Sequence, residues 1–294
     1  MVTAAPRITP RIMHPALIIF LLALLLGVQP ITTDLYLPAL PDLTHELGAG
    51  MVQAQLTLTA LLLAYGVSQL VWGPLSDRFG RRPILLIGMI AYTIAALGSA
   101  FAPSMDALIA WRTLQGAAMG AGVMCARAII RDLYSPAQGA MVISKALSGL
   151  GVIACISAPL GGFLTAWFNW HIALLVLAVF GAISLGLIAL RFEESIPQKN
   201  PNALQLRTMA CNWLHIVRNP TFLAFSALTI CSYSGLFSFL ASSSFVLIRV
   251  LGLSTTEYGM VMFGNSFIYL LGTFLCRHLL RRFGVRRAVA IAGG

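Results

Sequence analysis

Apolar runs of about 20 residues recur along this chain with polar breaks between them, and a run of that length is stable as a helix with lipid around it. They fall near 15 to 40, 52 to 72, 83 to 102, 107 to 126, 140 to 166, 170 to 190, 221 to 247 and 257 to 276, with a ninth beginning at about 288. Hydrophobic residues make up 59% of the chain and charged residues 10%, and mean hydropathy is +0.87. That balance excludes an ordinary soluble domain. The expected fold class is an all-α, polytopic membrane protein. Arg7 and Arg11 precede the first run as they would a signal peptide, but no small-x-small cleavage site follows and further spans do.

Basic residues set the expected orientation, because Lys and Arg are retained on the cytoplasmic side. Apart from Arg112 and Arg249, every Lys and Arg falls in the N-terminal tail or in the connections after the even-numbered spans. The opposite connections carry Arg249 and the acids Asp34, Asp42, Glu46, Asp106 and Glu257. The N-terminus is therefore expected in the cytoplasm, and the net charge of +10 follows from topology. A nucleic-acid role is not expected, since the basic residues are scattered over separate loops. Cys125, Cys155, Cys211, Cys231 and Cys276 show no paired spacing, so neither a disulfide framework nor a metal site is expected. The five histidines lie near span ends or in loops without metal-binding spacing, and no enzymatic constellation emerges.

Arg112 is the exception to this distribution. It lies within the stretch Ala107 to Ala126, which carries no other charge, and an unpaired guanidinium at membrane depth costs at least about 2.5 kcal/mol. Gly116 and Gly120 follow at i+4 and i+8, with Gln115 close to the same side, so a second helix can approach there. Arg112 is expected to face protein or an aqueous cavity. The expected partner is Asp34, which ends the uncharged run from Pro15 to Thr33 and is flanked by Pro30, Pro38 and Pro41. Prolines around it break the helix, which is tolerated where a segment lines a cavity. Asp34 is the best proton-carrier candidate, a loop acid at a helix exit being the simpler reading. Tyr65, Gln69 and Phe237 are candidate cavity residues.

The segment "SDRFGRRPILLIG" at 76 to 88 finds an echo in "LRRFGVRRAVAIAGG" at 280 to 294, where Arg281 replaces Asp77. In both places a short basic turn is expected to join two spans. Between the copies runs a polar stretch from Arg191 to Pro220, read as a cytoplasmic linker with one short helix near 202 to 217. The expected division is a six-helix bundle over residues 1–191, a linker over 192–220, and an incomplete second bundle over 221–294.

"GPLSDRFGRRPILL", from Gly73 to Leu86, resembles the signature loop of the major facilitator superfamily. Its carriers are Gly73, Asp77, Arg78, Gly80, Arg81 and Arg82. Gly73 is expected to permit close helix contact, Gly80 a tight turn, and Asp77 a pairing with Arg81 or a helix N-terminus. "RTLQGAAMGAGV" resembles the fourth-helix motif of the drug/proton antiporter branch, which implies a role in proton coupling for Arg112, with Gln115 and Gly116 beside it. "GLGVIACISAPLGGF" is similar to the fifth-helix antiporter motif through Gly149, Gly151, Pro159, Gly161 and Gly162, with Ala158 where the family usually has glycine. "TDLYLPALPDL" and "GLFSFLASSSFVLI" narrow the resemblance to the bicyclomycin-resistance (Bcr/CflA) group.

The resemblance implies a major facilitator fold, with the first bundle complete and the second begun: about eight full spans and the start of a ninth. It implies a multidrug efflux antiporter of the bacterial inner membrane that exports bicyclomycin- or chloramphenicol-like compounds in exchange for protons. Its partners would be a small-molecule substrate, protons and the lipid bilayer; it would act as a monomer, with the proton gradient and no cofactor as energy source. Export of an endogenous sugar or amino-acid metabolite is the alternative. The family normally has twelve helices, so the expectation for residues 1 to 294 alone is a fragment or truncated remnant deficient in transport.

Overall fold

The computed structural model describes residues 14–196 and 198–293. The basic tail with Arg7 and Arg11 lies outside them. The chain forms α1 (Pro15–Asp34), a 3-10 turn (Leu37–Ala39), α2 (Leu40–Glu46), α3 (Met51–Phe79), α4 (Arg81–Ala100), α5 (Met105–Leu133) and α6 (Pro136–Trp167). It continues with α7 (Trp170–Arg191), α8 (Leu206–Val217), α9 (Pro220–Ser244), a π-helical turn (Phe245–Val250) and α10 (Thr255–Gly293). No strand occurs among the described residues. Seven helical segments within them are long and apolar enough to cross a membrane. The fold is all-α and membrane-spanning, as the apolar runs require.

Local chemistry places the helix starts. Ser104 accepts the Ala107 amide at 3.3 Å, Asn169 the Ile172 amide at 3.0 Å, and Asn219 the Thr221 amide at 2.9 Å. Each side chain satisfies an N–H that the first turn leaves without an intrahelical partner. Pro30 stays inside α1, which ends at Asp34, and the 3-10 turn begins after Tyr36. The short helix expected near 202 to 217 is α8.

The second copy of the basic motif behaves differently from the first. Gly80 breaks the chain between α3 and α4 with φ 107°, whereas α10 runs as one 39-residue helix through Gly284. The expected basic turn there and the separate ninth span after it are not formed. The break at Gly80 is held by a distant acid, Glu194, described below.

Packing follows small residues. α5 lies against α3 and α4, and α6 lies between α1 and α10. Two buried apolar clusters result. One, at the end bearing Arg78, Arg81 and Arg82 (the basic end), is built, among the described residues, from Ile18 to Phe192. The other, at the opposite end, joins Leu35, Tyr36, Leu40 and Ala158 to Leu240, Phe245, Tyr258 and Met262. Residues before and after the linker thus share a core at the opposite end.

Candidate functional site

Arg112 is fully buried on α5, and α3 approaches α5 closely beside it. A Cβ on Gly116 would overlap the Leu61 carbonyl oxygen, and one on Gly120 would overlap Ser68 Oγ. The Trp72 indole N–H adds a bond to the Ala117 carbonyl at 2.7 Å. Into this packed wall the guanidinium donates to Gln115 Oε1 at 2.9 Å and to the Thr32 carbonyl at 3.0 Å. Its carbon lies 4.3 Å from the ring centroid of Tyr36, a cation–π arrangement.

Two further bonds hold these partners in place. Thr32 Oγ1 and the Tyr92 hydroxyl meet at 2.7 Å, and the Tyr36 hydroxyl meets Thr57 Oγ1 at 3.0 Å. Among the described residues, Arg112 Nε has no hydrogen-bond partner, while the Gln115 side chain also reaches the Tyr92 hydroxyl. A buried cation with a spare donor is poised to receive an acceptor.

The expected ion pair between Arg112 and Asp34 is not formed. No ion pair at Arg112 occurs among the described residues, and the Asp34 carboxylate instead accepts the Thr33 hydroxyl at 2.9 Å. The reason is helical geometry. Residues two apart on a helix diverge by some 200°, so an α1 that offers the Thr32 carbonyl to α5 turns the Asp34 side chain elsewhere. Asp34 lies on the side of α1 nearest Tyr258 of α10, whose hydroxyl meets Ser243 Oγ at 2.8 Å. Backbone continuity through Thr32 and Thr33 links the acid to Arg112.

The signature loop forms a charge cluster. Gly80 permits the sharp turn, and a Cβ there would overlap the Glu194 carboxylate. Glu194 accepts the amides of Arg81 at 2.8 Å and Arg82 at 3.2 Å, which caps the N-terminus of α4. The Arg81 side chain, 2% exposed, pairs with Asp77 at 2.7 Å and Asp132 at 2.9 Å. Of the two pairings open to Asp77, the one with Arg81 forms. Arg82 donates to the Ala189 carbonyl at 2.9 Å, and Arg78 lies over the Phe79 ring. The Asn200 amide also donates to the Asp77 carbonyl at 2.9 Å, so the polar stretch after α7 folds back onto this loop. Gly73 does not do what was expected of it. A Cβ there would meet nothing within 4 Å, because Gly73 lies on the side of α3 away from α5, while Trp72 and Ser76 on either side of it touch α5.

The α6 glycines divide between two neighbours. Gly149 packs on Ala23 Cβ and Gly161 on the Leu35 carbonyl, both toward α1; Gly151 packs on Leu270 and Gly162 on the Thr255 carbonyl, both toward α10. Pro159 stays within α6, with its Cα close to Gly259. Tyr65 bonds the Gln69 side chain and interacts electrostatically with Arg127 and Tyr233. Tyr233 stacks on Phe237 at 6.0 Å. Of the three candidate cavity residues, Tyr65 packs beside the basic-end cluster with Gln69 next to it, and Phe237 packs against the cluster at the opposite end.

Sequence reasoning missed Thr32, Tyr36 and Tyr92 around Arg112, and Asp132 and Glu194 around Arg81. The last two had a signal: both are acids within predominantly basic connections. The others had none beyond being polar groups inside apolar spans.

Residues 16–294 match the Major Facilitator Superfamily. The chain is 29% identical to a bicyclomycin resistance protein homolog of Haemophilus influenzae, over 93% of this chain and 70% of that protein. It is 31% identical to multidrug resistance protein D of Escherichia coli, over 81% of this chain and 59% of that protein. It is 32% identical to a chloramphenicol resistance protein of Pseudomonas aeruginosa, over 80% and 54%. The chain thus spans little more than half the length of the last two. Among solved structures it resembles a bacterial homolog of the human lysosomal transporter Spinster, with TM-score 0.72, 19% identity, and coverage of 92% of this chain and 63% of that one. A D-xylose-proton symporter aligns with TM-score 0.62 at 17% identity, over 90% and 69%.

Proposed function

This chain belongs to the Major Facilitator Superfamily, and from that premise we propose that the protein exports amphipathic drugs across the bacterial inner membrane in exchange for protons. The observation that carries the reading is Arg112, a fully buried cation with no ion pair among the described residues. A charge so placed is expensive and is retained for function. The names of the relatives supply the drug class: bicyclomycin, chloramphenicol and multiple drugs.

In this reading the basic end is cytoplasmic, residues 1–191 form one bundle, 192–220 a linker and 221–294 part of a second. Asp34 takes up and releases the proton. Arg112, bonded to the Thr32 carbonyl two residues earlier, biases that exchange through the position of α1. Movement of one bundle against the other then presents Asp34 to either side in turn.

The test is uptake of labelled chloramphenicol into inverted membrane vesicles carrying the protein expressed from its own gene. Uptake driven by a proton gradient and collapsed by an uncoupler is expected, together with its loss in Arg112→Ala. Gradient-driven uptake of equal size in Arg112→Ala overturns the coupling role, and absence of any drug uptake overturns the export reading.

A further inference from the structure

We propose that Arg249 is a latch that closes the seam between the two bundles at the end opposite the basic loops. The inference rests on the export reading above, since a latch matters only if the seam opens. Arg249 is the one Lys or Arg in the connections of that end, where the charge distribution otherwise disfavours cations, and the transport chemistry of Asp34 and Arg112 makes no use of it.

Its geometry supplies the use. Arg249 sits in the π-helical turn that ends α9, and its guanidinium reaches across to α2, donating to the Pro41 carbonyl at 2.9 Å and to Thr44 Oγ1 at 2.7 Å. The Phe245 ring, 5.4 Å away, lies beneath the guanidinium. Thr44 Oγ1 in turn donates to the Pro41 carbonyl at 2.8 Å, so the two acceptors are held together before Arg249 arrives. A second polar contact crosses the same seam, from Gln55 Nε2 to the Ala241 carbonyl at 3.4 Å.

Neutral acceptors suit a contact that must break repeatedly. Charge-assisted bonds of this kind are strong, yet opening them strands no buried carboxylate, and the exposed guanidinium returns to water. Asp42, close enough to interact electrostatically with Arg249, adds attraction without forming an ion pair. The apolar cluster beneath the latch joins residues of both bundles, from Leu35 and Tyr36 to Leu240, Phe245, Tyr258 and Met262. The seam is in contact at the latch end, through this cluster and the bonds of Arg249 and Gln55.

Accessibility of the seam tests this without any substrate. In a background with the native cysteines replaced, Gln55→Cys reports on the seam through its rate of labelling by a membrane-impermeant maleimide. Arg249→Ala is expected to raise that rate about fivefold, and Thr44→Val, which removes one acceptor and no charge, about twofold. Labelling of Thr44→Val at the parental rate overturns the latch, and this variant decides the matter if Arg249→Ala lowers the melting temperature by more than a few degrees. Faster labelling in a protein that moves no drug keeps the latch and sinks the export reading instead.

Discussion

The Arg112 guanidinium stands 4.3 Å from the centre of the Tyr36 ring, at the point where α1 gives way to a 3-10 turn. An aromatic face, two neutral oxygens and no carboxylate are what this buried cation has. Tyr36 follows Thr32 by four residues, and Leu35 and Tyr36 keep right-handed helical dihedrals, so the ring and the Thr32 carbonyl stay on one face of the chain and meet Arg112 together.

Loss of that ring is therefore expected to cost more than loss of its hydroxyl. Tyr36→Leu should destabilise the protein by about 2 kcal/mol, the range of a desolvated cation–π contact. Tyr36→Phe, which gives up only the bond to Thr57, should cost about 1 kcal/mol. Thermal melting in detergent compares them, and equal losses would remove the ring from the account.

The glycines make opposite predictions at two positions. Gly116→Ala places a methyl against the Leu61 carbonyl and should destabilise by about 1 to 3 kcal/mol through overpacking. Gly73→Ala, with open space around it, should be neutral or gain up to about 1 kcal/mol from helix propensity. The same melting series reads both.

At the signature loop, Asp132→Asn should be costlier than Asp77→Asn. Both acids pair with Arg81, but the Asp132 side chain is 10% exposed and the Asp77 side chain 41%. Water replaces part of what Asp77 supplies, so the expected losses are about 2 kcal/mol and under about 1 kcal/mol. Denaturant midpoints with unchanged slopes would check the order.

Proton coupling places the sharpest demand on Asp34. Asp34→Asn is expected to abolish gradient-driven drug uptake in vesicles while leaving equilibrium drug binding within a factor of about three, and Asp34→Glu to retain coupled uptake. Coupled uptake by the Asn variant would remove Asp34 as the carrier and turn attention to other acids near the seam.

What the sequence determined by itself was everything that depends on solvent and on the nearest neighbours along the chain. Apolar runs of membrane length specified the helices, the break at Gly80 was legible as a glycine between α3 and α4, and the uncharged surroundings of Arg112 marked it as buried. Its small neighbours Gly116 and Gly120 also announced the close helix that packs there. Partner identity was decided only by the tertiary structure. Whether Arg112 meets Asp34 or the Thr32 carbonyl depends on a rotation of α1 that composition does not encode, and Gly73 and Gly116 read alike until a neighbouring helix is seen to press on only one of them. Glu194 at the start of α4 and Arg249 across from Thr44 are contacts between residues far apart in sequence. They are set by how helices pack, and the repeated basic motif illustrates the limit: the shared Arg-Phe-Gly gives a turn at Gly80, where Glu194 caps the next helix, and continuous helix at Gly284.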